Sequence, residues 1–274
     1  MDDRGGRGPG GTDAAEDVAP GAGSPKSAPL RRVASILGAV AAGQERITLK
    51  EIAIRVALPP STTHRLVKSM LEVGFLRYDA SRRSYGIGAD LTRFVQMSMD
   101  RATVALLSEQ VLTRLANRFS LTAYVVQLAG DSVRLAAHRV PDDPEHAVVL
   151  PGERFPIHAS AAGKAVFAFQ QPEVIAAQLS QPLEKAQPAT RTDPEAIRAE
   201  LAEVRARGYA TAASELDPDI FAIACPVQSD RSGVVFAVGL NGIERIMRAN
   251  LDREDYVGAL TEASAELAQL LASR

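Results

Sequence analysis

The chain has 274 residues, 46% of them hydrophobic, which is enough for more than one core, and the length favours two domains. No apolar run reaches the roughly 18 residues a membrane-spanning helix needs, and the N-terminus lacks the apolar stretch of a secretory signal, so a cytoplasmic protein with no membrane partner is expected. Cys225 is the sole cysteine, which excludes an intramolecular disulfide and a multi-cysteine metal cage, and the net charge of −2 hides a strong segregation along the chain. Residues 29–95 hold eleven Lys/Arg against five Asp/Glu, whereas residues 96–274 hold seventeen against twenty-three. A basic block on an acidic body suits a nucleic-acid-reading module attached to a sensor.

Residues 1–28 are Gly, Pro, Ala, Ser and Asp with almost no large apolar side chain, a composition that predicts a disordered tail. Leu30, Val33, Ile36, Leu37 and Val40 then fall on one helical stripe, which Gly43 stops. Thr48-Leu-Lys-Glu51 has the form of a capping box and opens a short second helix with Ile52 and Val56 inward. Leu58-Pro59-Pro60 breaks that helix, and Ser61 is expected to cap a third, running to about Val73 with Leu66, Val67, Met70 and Leu71 inside. Phe75–Tyr78 and Ser84–Ile87 read as two short strands around a basic turn. Three helices and such a hairpin make a winged helix-turn-helix over residues 29–90.

From Ala89 to Phe119 there is almost no breaker, which predicts a long connecting helix or a helix pair, and its apolar stripe suits a dimer seam or an intrachain contact. Residues 91–118 are taken as this linker and 119–274 as the second domain. There, Leu121 to His138 reads as a hairpin around Gly130-Asp131, Val148–Leu150 as a strand, Ser160–Phe169 as a small-residue helix and Glu173–Leu179 as another. Thr192-Asp-Pro-Glu195 opens a helix ending at Gly208, and Ile220–Gln228 and Val234–Leu240 are apolar strands flanking the turn Asp230–Gly233. Asp252 to Ala272 is a final amphipathic helix. The fold class is α+β with one mixed or antiparallel sheet.

The third helix begins Ser61-Thr62-Thr63-His64-Arg65, and that set of hydroxyls, imidazole and guanidinium suits the major groove. Arg65 is the strongest candidate base reader, because a bidentate Arg–guanine pair discriminates by about 1–3 kcal/mol. Arg82 and Arg83 at the wing tip suit the phosphate backbone or minor groove, and Lys50, Arg55 and Lys68 are phosphate contacts or solvated charges.

Ala57-Leu-Pro-Pro-Ser-Thr-Thr-His-Arg-Leu66, Gly74-Phe75 and Arg83-Ser-Tyr-Gly-Ile-Gly88 together resemble the winged helix-turn-helix of IclR-type regulators. His158-Ala-Ser-Ala-Ala-Gly-Lys-Ala165, Thr192-Asp-Pro194, Val204-Arg-Ala-Arg-Gly-Tyr209, Glu215-Leu-Asp217 and Ile223-Ala-Cys-Pro-Val227 follow in the order of that family's effector domain, so the resemblance spans residues 29–272. It implies a GAF-like domain that binds a small organic acid, aromatic acids included, and a homodimer or dimer of dimers on double-stranded operator DNA. Ser160, Ala161 and Ala162, with Ala159 and Gly163, lack bulk at a helix start, where backbone amides can receive a carboxylate. The resemblance places further effector contacts near Ala212, Glu215, Ile220, Ala222, Gly239 and Asn241. Ala212 stands where an acidic residue is common, Asp219 where glycine is usual, Ala222 where cysteine occurs, and Gly239 and Asn241 where serines occur. These departures imply a less polar pocket than that of sensors of small oxo-acids.

An enzyme is the main competing class. Ser160 lies in Ala-Ser-Ala-Ala-Gly instead of Gly-x-Ser-x-Gly, and nothing in the sequence places an acidic partner for His158. Gly163-Lys164 lacks the rest of a P-loop, so Lys164 is assigned to structure, and Cys225 in an apolar strand reads as an inert buried thiol. The four histidines have no metal-ligand spacing, so no metal and no cofactor are expected. A winged helix that binds RNA or protein instead of duplex DNA is the other alternative.

Overall fold

The computed structural model describes residues 28–43, 47–130, 132–143, 154–229, 233–251 and 254–272. The expected tail lies outside the described residues apart from Ala28, as do the strand expected at Val148–Leu150 and the turn residues 230–232.

The first core is built by α1 (Ala28–Ala42), α2 (Leu49–Arg55), α3 (Pro60–Glu72), β1 (Leu76–Asp79) and β2 (Ser84–Ile87). Ile36 and Val40 of α1 pack with Ile52, Val67, Met70 and Leu76, while Leu30 stays in solvent. The capping box on α2 is complete: the Thr48 amide donates to Glu51 Oε2 at 2.8 Å and the Glu51 amide to Thr48 Oγ1 at 3.4 Å. The α3 helix begins two residues earlier than a Ser61 cap implies. Pro60 takes its first position, where a missing N–H is harmless, and Pro59 rather than Ser61 is the cap. Gly74 ends the helix at φ +67°, with the Phe75 amide donating back to the Met70 carbonyl at 2.8 Å. In the wing, Asp79 Oδ1 accepts from the Ser81 amide, the Ser81 hydroxyl and the Arg82 amide, which fixes the turn.

The stretch after the wing is a helix pair, α4 (Ala89–Met97) and α5 (Arg101–Phe119). Asp100 caps α5 by accepting from the Thr103 amide at 2.8 Å. The apolar stripe divides accordingly. Val104, Val111 and Leu115 enter the second core, while Phe94 and Val95 of α4 remain exposed.

The second core surrounds an antiparallel six-stranded sheet with spatial order β5-β4-β3-β8-β7-β6. Its strands are β3 (Thr122–Ala129), β4 (Ser132–Arg139), β5 (Arg154–Phe155), β6 (Ala210–Ala213), β7 (Ile220–Ser229) and β8 (Gly233–Ile243). Helices α6 (Ala161–Phe167), α7 (Pro172–Leu179) and α8 (Pro194–Arg207) lie between β5 and β6 in sequence, and α9 (Glu244–Ala249) and α10 (Tyr256–Ala272) follow β8. Strand alternation separates the faces: Ser264 of α10 donates to the Pro226 carbonyl, and α5 packs on β4, while α6 packs on β6, β7 and β8. The last helix starts at Tyr256, four residues later than expected, and α9 is an addition to the expected elements.

Small residues at the start of α6 serve close packing. A Cβ on Gly163 would lie 2.3 Å from the Pro156 carbonyl oxygen, a backbone atom that has no rotamer to escape into. Gly163→Ala should therefore lower stability by about 1–3 kcal/mol, the usual cost of overpacking, seen as a lower urea midpoint at unchanged slope.

Candidate functional site

On α3, Ser61, His64, Arg65 and Lys68 are all exposed, and their spacing puts them on one side of the helix. Thr63, Val67 and Met70 form the opposite, buried side. Thr63 is thereby corrected as a candidate DNA contact: it is 0% exposed and its hydroxyl donates to the Pro59 carbonyl at 3.2 Å. Thr62 is half-buried, while Lys50 on α2 and Arg82 and Arg83 on the wing are exposed. Arg82 is 3.8 Å from Asp79, a surface pair too exposed to hold the guanidinium away from a polyanion.

A cavity with about 380 Å³ of space between atoms, its open mouth included, lies between the sheet and the start of α6. Seven expected effector residues line it: Ser160, Ala161, Ala212, Glu215, Ile220, Ala222 and Asn241. Strand register explains why distant residues meet, since Asn241 pairs with Ala222, which pairs with Ala212, across β8, β7 and β6. One row along, Tyr124 pairs with Gly239 and Gly239 with Ala224. Tyr124, Phe155 and Asp217 are liners that sequence reasoning missed. The Tyr124 and Phe155 rings stack, with centroids 5.8 Å apart and planes 16° from parallel.

Two expected contacts are corrected. Ala162 is fully buried but does not line the cavity, and Gly239 lies beneath Tyr124, where an added Cβ would come within 2.5 Å of the phenol oxygen. Ser160 lines the cavity with its hydroxyl already committed: Oγ donates to the Pro156 carbonyl at 2.7 Å and accepts from the Gly163 amide at 3.0 Å. One amide expected to receive a carboxylate is thus satisfied within the helix cap.

Beneath the cavity wall Lys164 is 1% exposed, and its ammonium donates to Glu215 Oε2 at 2.6 Å, Glu200 Oε1 at 2.8 Å and the Thr211 carbonyl at 3.1 Å. Three donors meet three acceptors, so the buried charge is satisfied. Arg191 adds a longer pair to Glu200 at 3.5 Å. Thr190 donates to the Glu215 carbonyl, and His158 Nε2 lies 2.8 Å from the Glu184 carbonyl, so the 180–193 segment is tied to the same region. Burial pushes the Asp217 carboxyl above its ordinary range and the Cys225 thiol up to about 11. Asn241 is 3% exposed, and its side-chain oxygen has no hydrogen-bond partner among the described residues. No cluster of His, Cys, Asp or Glu suited to a metal ion occurs among the described residues, and no helix among them is long and apolar enough to cross a membrane.

A winged helix-turn-helix with a basic exposed face, linked by a helix pair to a sheet domain with a partly open cavity, defines a DNA-binding regulator with a sensor domain. The sequence model of the IclR helix-turn-helix domain matches residues 29–80, and that of the bacterial transcriptional regulator IclR C-terminal domain matches residues 96–269. The chain belongs to the IclR family of bacterial transcriptional regulators. It is 31% identical to the HTH-type transcriptional regulator BhcR of Paracoccus denitrificans over 89% of this chain and 88% of that one. Among solved structures, an IclR-type regulator from Silicibacter sp. TM1040 aligns with a TM-score of 0.61 at 25% identity, covering 90% of this chain and 96% of that one. An IclR homologue of Microbacterium hydrocarbonoxydans, in complex with 4-hydroxybenzoate, aligns with a TM-score of 0.55 at 26% identity over 90% of this chain and 100% of its own.

Removing the Lys164 ammonium leaves Glu200 and Glu215 buried beside each other. Lys164→Met should destabilise by about 3–5 kcal/mol in urea unfolding, and adding Glu200→Gln with Glu215→Gln should recover a large part of the loss.

Proposed function

We propose that the protein is a cytoplasmic, ligand-gated operator binder without catalytic activity, acting as a homodimer or dimer of dimers on double-stranded DNA. The observation that carries this is the α3 stripe of Ser61, His64, Arg65 and Lys68, exposed opposite a buried stripe in the same helix. Arg65 reads a base edge, Ser61, Lys68 and Lys50 fix phosphates, and Arg82 and Arg83 extend the contact from the wing. Thr62 and His64 complete the first turn. The exposed Phe94 and Val95 of α4 supply an apolar seam for a second copy, which would set two recognition helices on a palindromic site.

The effector is a small organic acid, including aromatic acids. The stacked Tyr124–Phe155 wall suits a ring, and the Microbacterium homologue is a complex with an aromatic hydroxy acid. A hydrolytic role is disfavoured by the committed contacts, because Ser160 Oγ is spent on its helix cap while His158 Nε2 contacts the Glu184 carbonyl.

Effector and DNA sites are linked through α6. Its start lines the cavity, and Gln170, three residues past its end, accepts a hydrogen bond from Arg93 of α4 and donates to the carbonyls of Val166 and Val234. Arg93 is half-buried and also donates to the Val234 carbonyl, so α4 is latched to the sensor domain directly after the wing. A shift of α6 on ligand binding moves this latch, and by linkage DNA alters effector affinity equally.

In fluorescence anisotropy with the promoter duplex beside its own gene, the protein should prefer that DNA over random duplex at moderate salt. Equal affinity for both would overturn the operator reading. Arg65→Ala should weaken specific binding by roughly 5- to 150-fold, the range of one lost Arg–guanine pair, with melting temperature and effector affinity unchanged. Gln170→Ala should retain DNA binding and effector binding separately while reducing the change that effector produces in DNA affinity. An unaltered effector response in that variant would reject the latch.

A further inference from the structure

The cavity's polar chemistry is unusual for a site that takes an anion. Its ionisable liners are Glu215 and Asp217, both acidic, together with the Tyr124 phenol. The nearby cation, Lys164, is enclosed by two glutamates and a carbonyl. Between the acidic rim and the stacked rings, the deepest polar groups are uncharged. Asn241 is 3% exposed and Tyr124 1% exposed, and burial raises the phenol so that it stays protonated. The phenol oxygen is set over Gly239, next to Asn241 in the pattern of alternate residues on β8.

Asn241 Oδ1 is buried without a hydrogen-bond partner among the described residues. An orphaned buried acceptor costs about 1–3 kcal/mol, so folding alone gives no reason to keep it there. A carboxylate accepts only and cannot satisfy that oxygen, whereas a hydroxyl or an N–H can. The Tyr124 phenol beside it can donate to, or accept from, the same ligand group.

We propose that Asn241 and Tyr124 together bind an uncharged hydrogen-bond donor of the effector, in the first instance a ring hydroxyl, with any carboxylate of the effector directed away from them. This rests on the reading of the cavity as the effector site and adds the ligand class: a compact ring compound carrying a hydroxyl. Asn241 and Tyr124 are then the specificity residues.

The test is calorimetric titration of the full chain with 4-hydroxybenzoate, benzoate and phenol, alongside thermal melting of each variant without ligand. The expected result is that 4-hydroxybenzoate and phenol bind, and that benzoate binds at least about tenfold more weakly than 4-hydroxybenzoate, the size of one net hydrogen bond. Tyr124→Phe and Asn241→Leu should each erase that preference, and Asn241→Leu should melt no lower than the parent, because it removes a buried acceptor that has no partner among the described residues. Benzoate binding as well as 4-hydroxybenzoate would overturn the proposal and mean that the Asn241 amide presents its NH₂ instead; loss of preference only with a large fall in melting temperature would assign both residues to structure. Ala222→Leu, which adds bulk inside the cavity, separates the two levels of the claim. Hydroxylated ligands that bind Ala222→Leu unchanged, or no binding by any of the three compounds to the parent, would overturn the cavity reading together with the proposal.

Discussion

The sensor domain depends on one buried cation. Lys164 lies in a seven-residue helix that could not hold a fixed position by its own backbone hydrogen bonds, since two turns of helix are marginal in isolation. Its ammonium pins α6 to α8 through Glu200, to β6 through the Thr211 carbonyl, and to the following loop through Glu215. Each acceptor comes from a different element, so none can move without leaving a charge or a carbonyl unsatisfied in a region of low dielectric. The consequence is a short helix that behaves as a rigid strut. Its first residues line the cavity, and the residue that latches α4 lies just past its last turn.

That arrangement gives the coupling between the two cores a material basis. The first core is small, and its rigidity comes from local devices: a reciprocal cap at Thr48 and Glu51, a proline start on α3, a left-handed glycine at its end and an aspartate-bonded wing turn. These hold the exposed side of α3 and the wing as one body. Arg93 and Gln170 then connect the helix that follows the wing to the strut under the cavity. On the proposed coupling, a ligand need not deform either core to be felt at the other, because a small shift of one connected element suffices.

Much of this was legible in the sequence wherever periodicity or a cap announces itself. The capping box, the two hairpin-forming strand pairs and the Asp193-capped α8 were read from local rules that tertiary packing did not override. What escaped was short or non-local. Six residues of α9 carry less than two turns of pattern, and the two-residue β5 exists through its pairing with Val133 and Arg134. Thr63 looked like its hydroxyl neighbours because composition does not reveal which side of a helix turns inward until the helix start is fixed, and that start lies two residues before the one a Ser61 cap implies. Tyr124 was invisible for another reason: nothing local marks a strand tyrosine as facing a cavity, and the signal lies in its register opposite Gly239.

That register clarifies the residues at which this chain departs from the resemblance. Gly239 for serine opens the space into which the Tyr124 ring extends, since even one carbon there would meet the ring within 2.5 Å. Ala222 and then Ala212 follow Asn241 in one row across β7 and β6, with Thr122 paired to it on the other side. Asp219, in a position where glycine is usual, adopts φ +60°, a left-handed conformation that aspartate tolerates better than most side chains, and so the loop shape survives the change. In this structure the two positions fit together: the space left by Gly239 is taken by an aromatic ring from the adjacent strand.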